Sequence, residues 1–277
     1  EYSRATGDAS YLKEAKSMFK HIWAASKDLT KVGAVSYAGV KESQTLAIPM
    51  IMLNLIEELT GRELTGQEIK GQEKKEEDYS EYESEVAECI KLIKLHVDLK
   101  EKVVLENVTP KGEFIDSPDG RLLNPGHAIE AGWFLQHWAK KLGDKELSTL
   151  AVDMVKWSFE TGWDKEHGGI FYFLDSKGFD PTPLESNMKL WWPHCEALYG
   201  HLLNYSVTSD ISDFEAFLKV HDYTFKHFPD PKNGEWFGYL DRFGNPTHTF
   251  KGGPYKGCFH VPRALLLCLT LLEQLDS

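Results

Sequence analysis

The sequence predicts an all-α fold in which an inner set of apolar helices is surrounded by an outer, amphipathic set, with short β ribbons in the long loops. Three observations carry that expectation. A turn, a histidine and a helix recur at His127, His194 and His260, at spacings of 67 and 66 residues, and a fixed period of this length indicates repeated structural units. The stretch 164–178 ahead of the second copy matches 230–244 ahead of the third, at Asp164 with Asp230, Gly168 with Gly234, Phe171 with Phe237, Leu174 with Leu240, Asp175 with Asp241 and Gly178 with Gly244. About half of the helical patterns are almost continuously apolar and the rest carry one charged face. Helices that are apolar all round belong inside.

Taken in order, residues 1–7 read as the last turn of a helix closed by Gly7, since glycine commonly takes the left-handed position past a helix end. Asp8 then caps a helix over 9–27, with Leu12, Ala15, Met18, Phe19 and Ile22 on one stripe. VGAVSYAGV at 32–40 reads as loop. The apolar helix over 45–59 places Pro49 in its first turn, where no backbone N–H is missed. Residues 61–80 form the most polar stretch and read as a connecting loop. Gly61 and Gly66 there have phosphate-loop spacing, but Gln67 and Glu68 stand where Lys and Ser or Thr are needed. Helices over 79–99, 127–142, 145–161, 188–206, 211–228 and 258–275 complete a set of eight, and 112–121 is a weaker copy of the ribbon. With the loops before the inner helices at one end, the three histidines gather at a common mouth.

Composition narrows the function. At 42% hydrophobic and 12% aromatic residues the chain has ample material for a core. Its 31 basic against 43 acidic residues give a net charge of −12, and no stripe of Lys and Arg offers a nucleic-acid surface. The longest apolar runs, 48–56 and 264–272, fall short of the roughly 20 residues of a membrane span. Four cysteines without CxxC spacing lie in or beside helix patterns, which predicts free thiols in a reducing compartment and no metal site.

The repeats carry the chemistry. A histidine in the first turn of a helix faces the positive end of the helix dipole, which favours a neutral, basic ring near pH 7. Two such bases, His127 and His260, facing one bound carbon can take a proton from one side and return it on the other. His194 reads either as a pocket residue or as packing behind Trp192. Glu130, three residues after His127 on the same helical face, either orients a ring or a sugar hydroxyl or pairs with Arg263. Trp133, Trp191, Trp192, Trp236, Phe171 and Tyr239 offer flat faces to sugar rings or fill the core. Cys258, two residues before His260 at the helix start, is expected to be a reactive thiol.

The stretches NPGHAIEAGWFL, GGIFYFLD, KLWWPHCEALYG, GEWFGYL and KGGPYKGCFHVPRAL closely resemble the N-acylglucosamine 2-epimerase family, whose animal members are also called renin-binding protein. The similarity covers nearly the whole chain except the polar connection at 61–80. It implies an (α/α)6 barrel, here about eight of twelve helices in one domain over 1–277, with N-terminal helices and a pocket arginine missing. It also implies interconversion of N-acetyl-D-glucosamine and N-acetyl-D-mannosamine, with His127 and His260 as the acid/base pair. Glu130 and Glu196 match the family's pocket carboxylates, Trp133 and Trp192 its pocket aromatics, and Cys258 a cysteine important in the animal enzymes. His194 and Arg263 join the expected substrate-binding set. The chemistry requires no cofactor; ATP or another nucleotide serves as an activator, with VGAVSYAGVKES at 32–43 a loose match to the associated loop. A cytoplasmic homodimer is expected.

Two other readings stay open from sequence: a glycoside hydrolase or lyase using Glu130 and Glu196 as paired carboxylates, and a non-catalytic binding protein with a renin-type protease as partner. A ring short of four helices is also expected to be open, exposing Met50, Leu53, Leu266 and Leu269 to water.

Overall fold

The structure, a computed structural model, describes residues 1–28, 41–61 and 79–276. The expected loop at 32–40 and nearly all of the polar connection at 61–80 lie outside the described residues.

Nine helices are present among the described residues: α1 (Tyr2–Thr6), α2 (Ala9–Ser26), α3 (Ala47–Thr60), α4 (Glu83–Lys94), α5 (Pro125–Leu142), α6 (Lys145–Gly162), α7 (Trp191–Thr208), α8 (Ile211–His227) and α9 (His260–Leu275). Two kinds of helix start divide them. Each of α3, α5, α7 and α9 has a proline in its first turn, at Pro49, Pro125, Pro193 and Pro262, where a missing N–H costs nothing. In contrast, α2, α6 and α8 are opened by Asp8, Asp144 and Asp210, whose carboxylates accept from backbone N–H groups of the first turn. The proline-started helices pack in sequence, α3 on α5, α5 on α7 and α7 on α9, while α4, α6 and α8 each back onto the helix before them. These are the inner and outer sets.

Short antiparallel ribbons fasten the inner helices at one end. The strand entering α3, β1 (Gln44–Thr45), pairs with β4 (Asn107–Val108) in the loop before α5. Likewise β5 (Leu122–Leu123), entering α5, pairs with β6 (Leu174–Asp175), and β7 (Lys189–Leu190), entering α7, pairs with β8 (Tyr239–Leu240). Each loop therefore reaches back to the start of the previous inner helix. The sequence repeat is reproduced in three dimensions: Asp164 and Asp230 each accept two backbone N–H groups just downstream. Gly168 and Gly234 each donate back to that aspartate's carbonyl, with φ of 74° and 72°, a region glycine enters without strain.

The remaining strands, β2 (Val97–Asp98) and β3 (Val103–Val104), form a hairpin. That hairpin ends the helix expected over 79–99 at Lys94, because the buried His96 turns the chain and bonds the Leu105 carbonyl across it at 2.9 Å.

The core is continuous from Phe19 to Cys268 and includes Met50 and Leu53. Those two residues do not face water as expected: α2 and α4 both pack on α3, which covers that edge. Leu266 and Leu269 do, at 52% and 56% exposure on the free side of α9. No described helix is long and apolar enough to cross a membrane.

Candidate active site

The first turns of α5, α7 and α9 converge where the repeat predicted, bringing His127, Trp192, Glu196, His260 and Arg263 together. Asn124 caps α5 and accepts the His127 N–H at 3.2 Å. His260 is the first residue of α9. Trp192 packs against both imidazoles, its ring centroid 5.1 Å from that of His127 and 5.6 Å from that of His260. Gly126 permits this arrangement: a Cβ there would lie 2.4 Å from the indole.

Each histidine is tied to a carboxylate through Nδ1. His127 Nδ1 lies 2.9 Å from Glu106 Oε2, and His260 Nδ1 lies 2.6 Å from Glu196 Oε1. A carboxylate only accepts, so Nδ1 carries the proton in both rings. Neither Nε2 has a hydrogen-bond partner among the described residues, and the side chains remain 25% and 16% exposed. Both free nitrogens are thus available to a ligand.

Glu106 was not singled out by sequence. It precedes β4, and the corresponding positions before β6 and β8 are Phe173 and Gly238. The repeat therefore gave no sign of a carboxylate there.

Behind the histidines lies a compact charge cluster. Arg263 Nη2 donates to Glu130 Oε1 and Glu196 Oε1, both at 2.8 Å, and the Trp133 indole N–H donates to Glu196 Oε2 at 2.8 Å. Of the two roles open to Glu130, pairing with Arg263 is the one seen. Trp133 is buried, and its N–H is spent on holding Glu196. Glu130, Glu196 and His260 each offer a ligand atom within 4.8 Å of the others; the Arg263 guanidinium already supplies a cation to both carboxylates.

Burial would raise Glu196, but Arg263 and His260 hold its carboxyl down to about 2. Glu130 moves the other way, raised by burial and by the charge of Glu196. Burial opposes a charged His127, yet Glu106, by charge and hydrogen bond, and then Glu130 and Glu196 outweigh it and raise the ring above its usual value. The direction is opposite to the one expected from the helix dipole. A full carboxylate at 2.9 Å outweighs the half-charge of a helix terminus.

His194 does not belong to this group. Its Nε2 accepts the Ile170 N–H at 3.0 Å and its Nδ1 donates to the Leu190 carbonyl at 2.6 Å, so the ring joins β7 to the aromatic ribbon. It stacks on Tyr223, away from solvent, and burial lowers it to about 3. Cys258 lies just ahead of α9 and is exposed. The nucleotide-loop match at 32–43 falls almost wholly outside the described residues.

Comparison with known proteins gives a consistent picture. The family profile for N-acylglucosamine 2-epimerase matches residues 70–264. The chain is 44% identical to the N-acylglucosamine 2-epimerase of Bos taurus and 41% identical to that of Homo sapiens, in each case over 100% of its own length. It spans 63% and 62% of those relatives. In fold it matches a cellobiose 2-epimerase from Bacillus thermoamylovorans, an (α/α)6 barrel, with a TM-score of 0.74 at 22% identity, over 99% of this chain and 68% of that one.

Proposed function

The chain belongs to the N-acylglucosamine 2-epimerase family, and from that premise we propose that it interconverts N-acetyl-D-glucosamine and N-acetyl-D-mannosamine by moving the proton at C2 of the open-chain sugar. The observation that carries the reading is the pair of imidazoles packed on one indole, Trp192, each with Nδ1 on a carboxylate and Nε2 free. In the open-chain form the C1 aldehyde acidifies the C2 proton. One Nε2 removes that proton and an enolate forms. The other histidine, entering the step as the imidazolium with a second proton on Nε2, gives that proton to the opposite face of C2 and is left neutral, and the aldehyde is restored with inverted configuration. Arg263 stabilises the charge developing on O1; its Nη1 is buried without a hydrogen-bond partner among the described residues. Positioned acid/base groups contribute about 10²- to 10⁴-fold each.

The hydrolase reading is weaker. A glycosidase sets its two carboxyl groups on either side of the scissile bond, whereas Glu130 and Glu196 both bond one nitrogen of Arg263. Family resemblance supports a cytoplasmic homodimer and a nucleotide as activator rather than reactant. Binding of a renin-type protease is the non-catalytic alternative.

The test is incubation with N-acetylmannosamine in deuterated water, using the chain and a version extended to the length of its relatives. Deuterium should enter C2 of the product. His127→Asn and His260→Asn should each abolish epimerisation while retaining exchange toward a different epimer. Unlabelled interconversion would sink the enolate route, and no turnover in the extended protein would favour the binding role.

A further inference from the structure

The His127 side of the site contains a carboxylate that no motif marked. Glu106 is buried, and both of its oxygens are committed: Oε2 to His127 Nδ1 and Oε1 to the Thr45 hydroxyl, each at 2.9 Å. Its backbone is fixed as well, since Glu106 N–H donates to the Leu122 carbonyl and Leu46 N–H donates to the Glu106 carbonyl. Thr45 ends β1, Glu106 precedes β4 and Leu122 begins β5. Three segments from two successive repeats thus lock one carboxylate against one imidazole.

We infer that Glu106 is the positioning residue of His127, as Glu196 is of His260, and that it fixes which nitrogen of His127 exchanges the substrate proton. The inference rests on the epimerase reading and adds a residue to it. Glu106 holds Nδ1–H toward itself, so only Nε2 faces the sugar. The C2 proton goes to or comes from Nε2, the Nδ1 proton stays on the ring, and Glu106 remains a carboxylate throughout. Without that anchor the ring can flip or take the other tautomer, with the wrong nitrogen presented.

The two anchors differ in what surrounds them. Glu196 Oε1 is shared between His260 and Arg263, while no cation contacts Glu106 among the described residues except His127 itself. The charged groups facing His127 are Glu106 ahead of β4, Glu130 on its own helix and Glu196 on α7, the last bonded in turn to His260 and Arg263 of α9. Removing the Glu106 charge therefore removes the anion in direct contact with the ring.

The test is Glu106→Gln, with Glu106→Asp and Thr45→Val beside it. In nitrogen-15 histidine NMR on the chain, the His127 midpoint in Glu106→Gln should fall by about one to three pH units. In the active extended protein kcat should drop about 10²-fold, with KM little changed and the acid limb of the pH profile moved down. Glu106→Asp should recover part of the loss. Carbon–deuterium exchange should fail chiefly for the epimer whose C2 proton faces His127. If Glu106→Gln does not fold, Thr45→Val must still show a smaller shift of the same sign. An unmoved His127 midpoint together with unaltered kcat would overturn the inference, while His127→Asn that still epimerises would instead overturn the function on which it rests.

Discussion

Arg263 and His260 meet on a single atom: Glu196 Oε1 accepts from the guanidinium at 2.8 Å and from the imidazole at 2.6 Å. With Glu130 on the same guanidinium nitrogen, the cluster holds buried carboxylates whose repulsion Arg263 offsets. We predict that Arg263→Met, close in length and uncharged, destabilises the fold by ~3–5 kcal/mol, the scale for breaking a buried ion pair from one side. Urea unfolding at pH 7 measures it. A loss below 1 kcal/mol would mean that the carboxylates are solvated or that one is already protonated.

Much of this arrangement was legible in sequence because it is repeated. The histidine spacing and the doubled aspartate and glycine turns reported the ribbons, and nearly continuous apolar runs reported the inner helices. His194 shows where periodicity misleads. It shares its place in the repeat with His127 and His260, yet the ribbon folds over it and its two nitrogens join the backbone. Glu106 shows the opposite failure. Its partner His127 is 21 residues away and is reached only through strand pairing, a relationship no local pattern encodes. The expected exposure of Met50 and Leu53 failed for a similar reason, since it assumed that α3 bordered the gap when α2 lies against it.

Acid should unfold the protein through Glu196 and Asp164. Burial opposes the charge on each, but Arg263 and His260 hold Glu196 at about 2, and Lys189 with two backbone N–H groups holds Asp164 at about 2. Both carboxyls bind protons less tightly folded than unfolded, so their contribution is complete above their ordinary values of 4.5 and 3.8 and is lost as pH falls toward 2. Glu130, shifted upward, acts in the opposite sense above its ordinary value. Unfolding free energy should drop steadily from pH 4.5 to pH 2. A flat profile across that window would show that neither pair is formed.

Gly126→Ala should disturb the site without touching a histidine. The new Cβ would lie 2.4 and 2.5 Å from two carbons of the Trp192 indole, so the ring must shift, at a cost of about 1–3 kcal/mol. Because Trp192 packs on both His127 and His260, kcat should fall more than KM rises. Unchanged kcat in a folded Gly126→Ala protein would show that the indole is not part of the acid/base geometry.

Thiol titration separates Cys258 from the rest. Cys89, Cys195 and Cys268 are buried, and burial raises all three, Cys89 and Cys268 to about 12. A disulfide reagent should titrate one thiol in the native protein and four after unfolding. Cys258→Ser should remove the native reaction, and N-acetylmannosamine should slow it in the parent. Two fast native thiols, or reaction persisting in Cys258→Ser, would contradict this.

The free side of α9 sets how the chain behaves alone. One flank of that helix lies on α7, and the other presents Leu266 and Leu269, with Leu265, Leu272 and Leu275 close by, all exposed among the described residues. Positions three apart fall on one helical face, so these side chains form a single apolar stripe. Contiguous patches beyond a few hundred Å² are rare on soluble monomers and mark association surfaces. The 277-residue chain should therefore bind hydrophobic dyes and elute from size-exclusion columns as dimers or larger species, increasingly so with concentration. Leu266→Glu combined with Leu269→Glu should return it to a monomer with unchanged helical circular dichroism, since both side chains already face water. If the unmodified chain runs as a compact, dye-negative monomer, the stripe is covered by part of the chain itself, and the open edge beside α9 does not exist in solution.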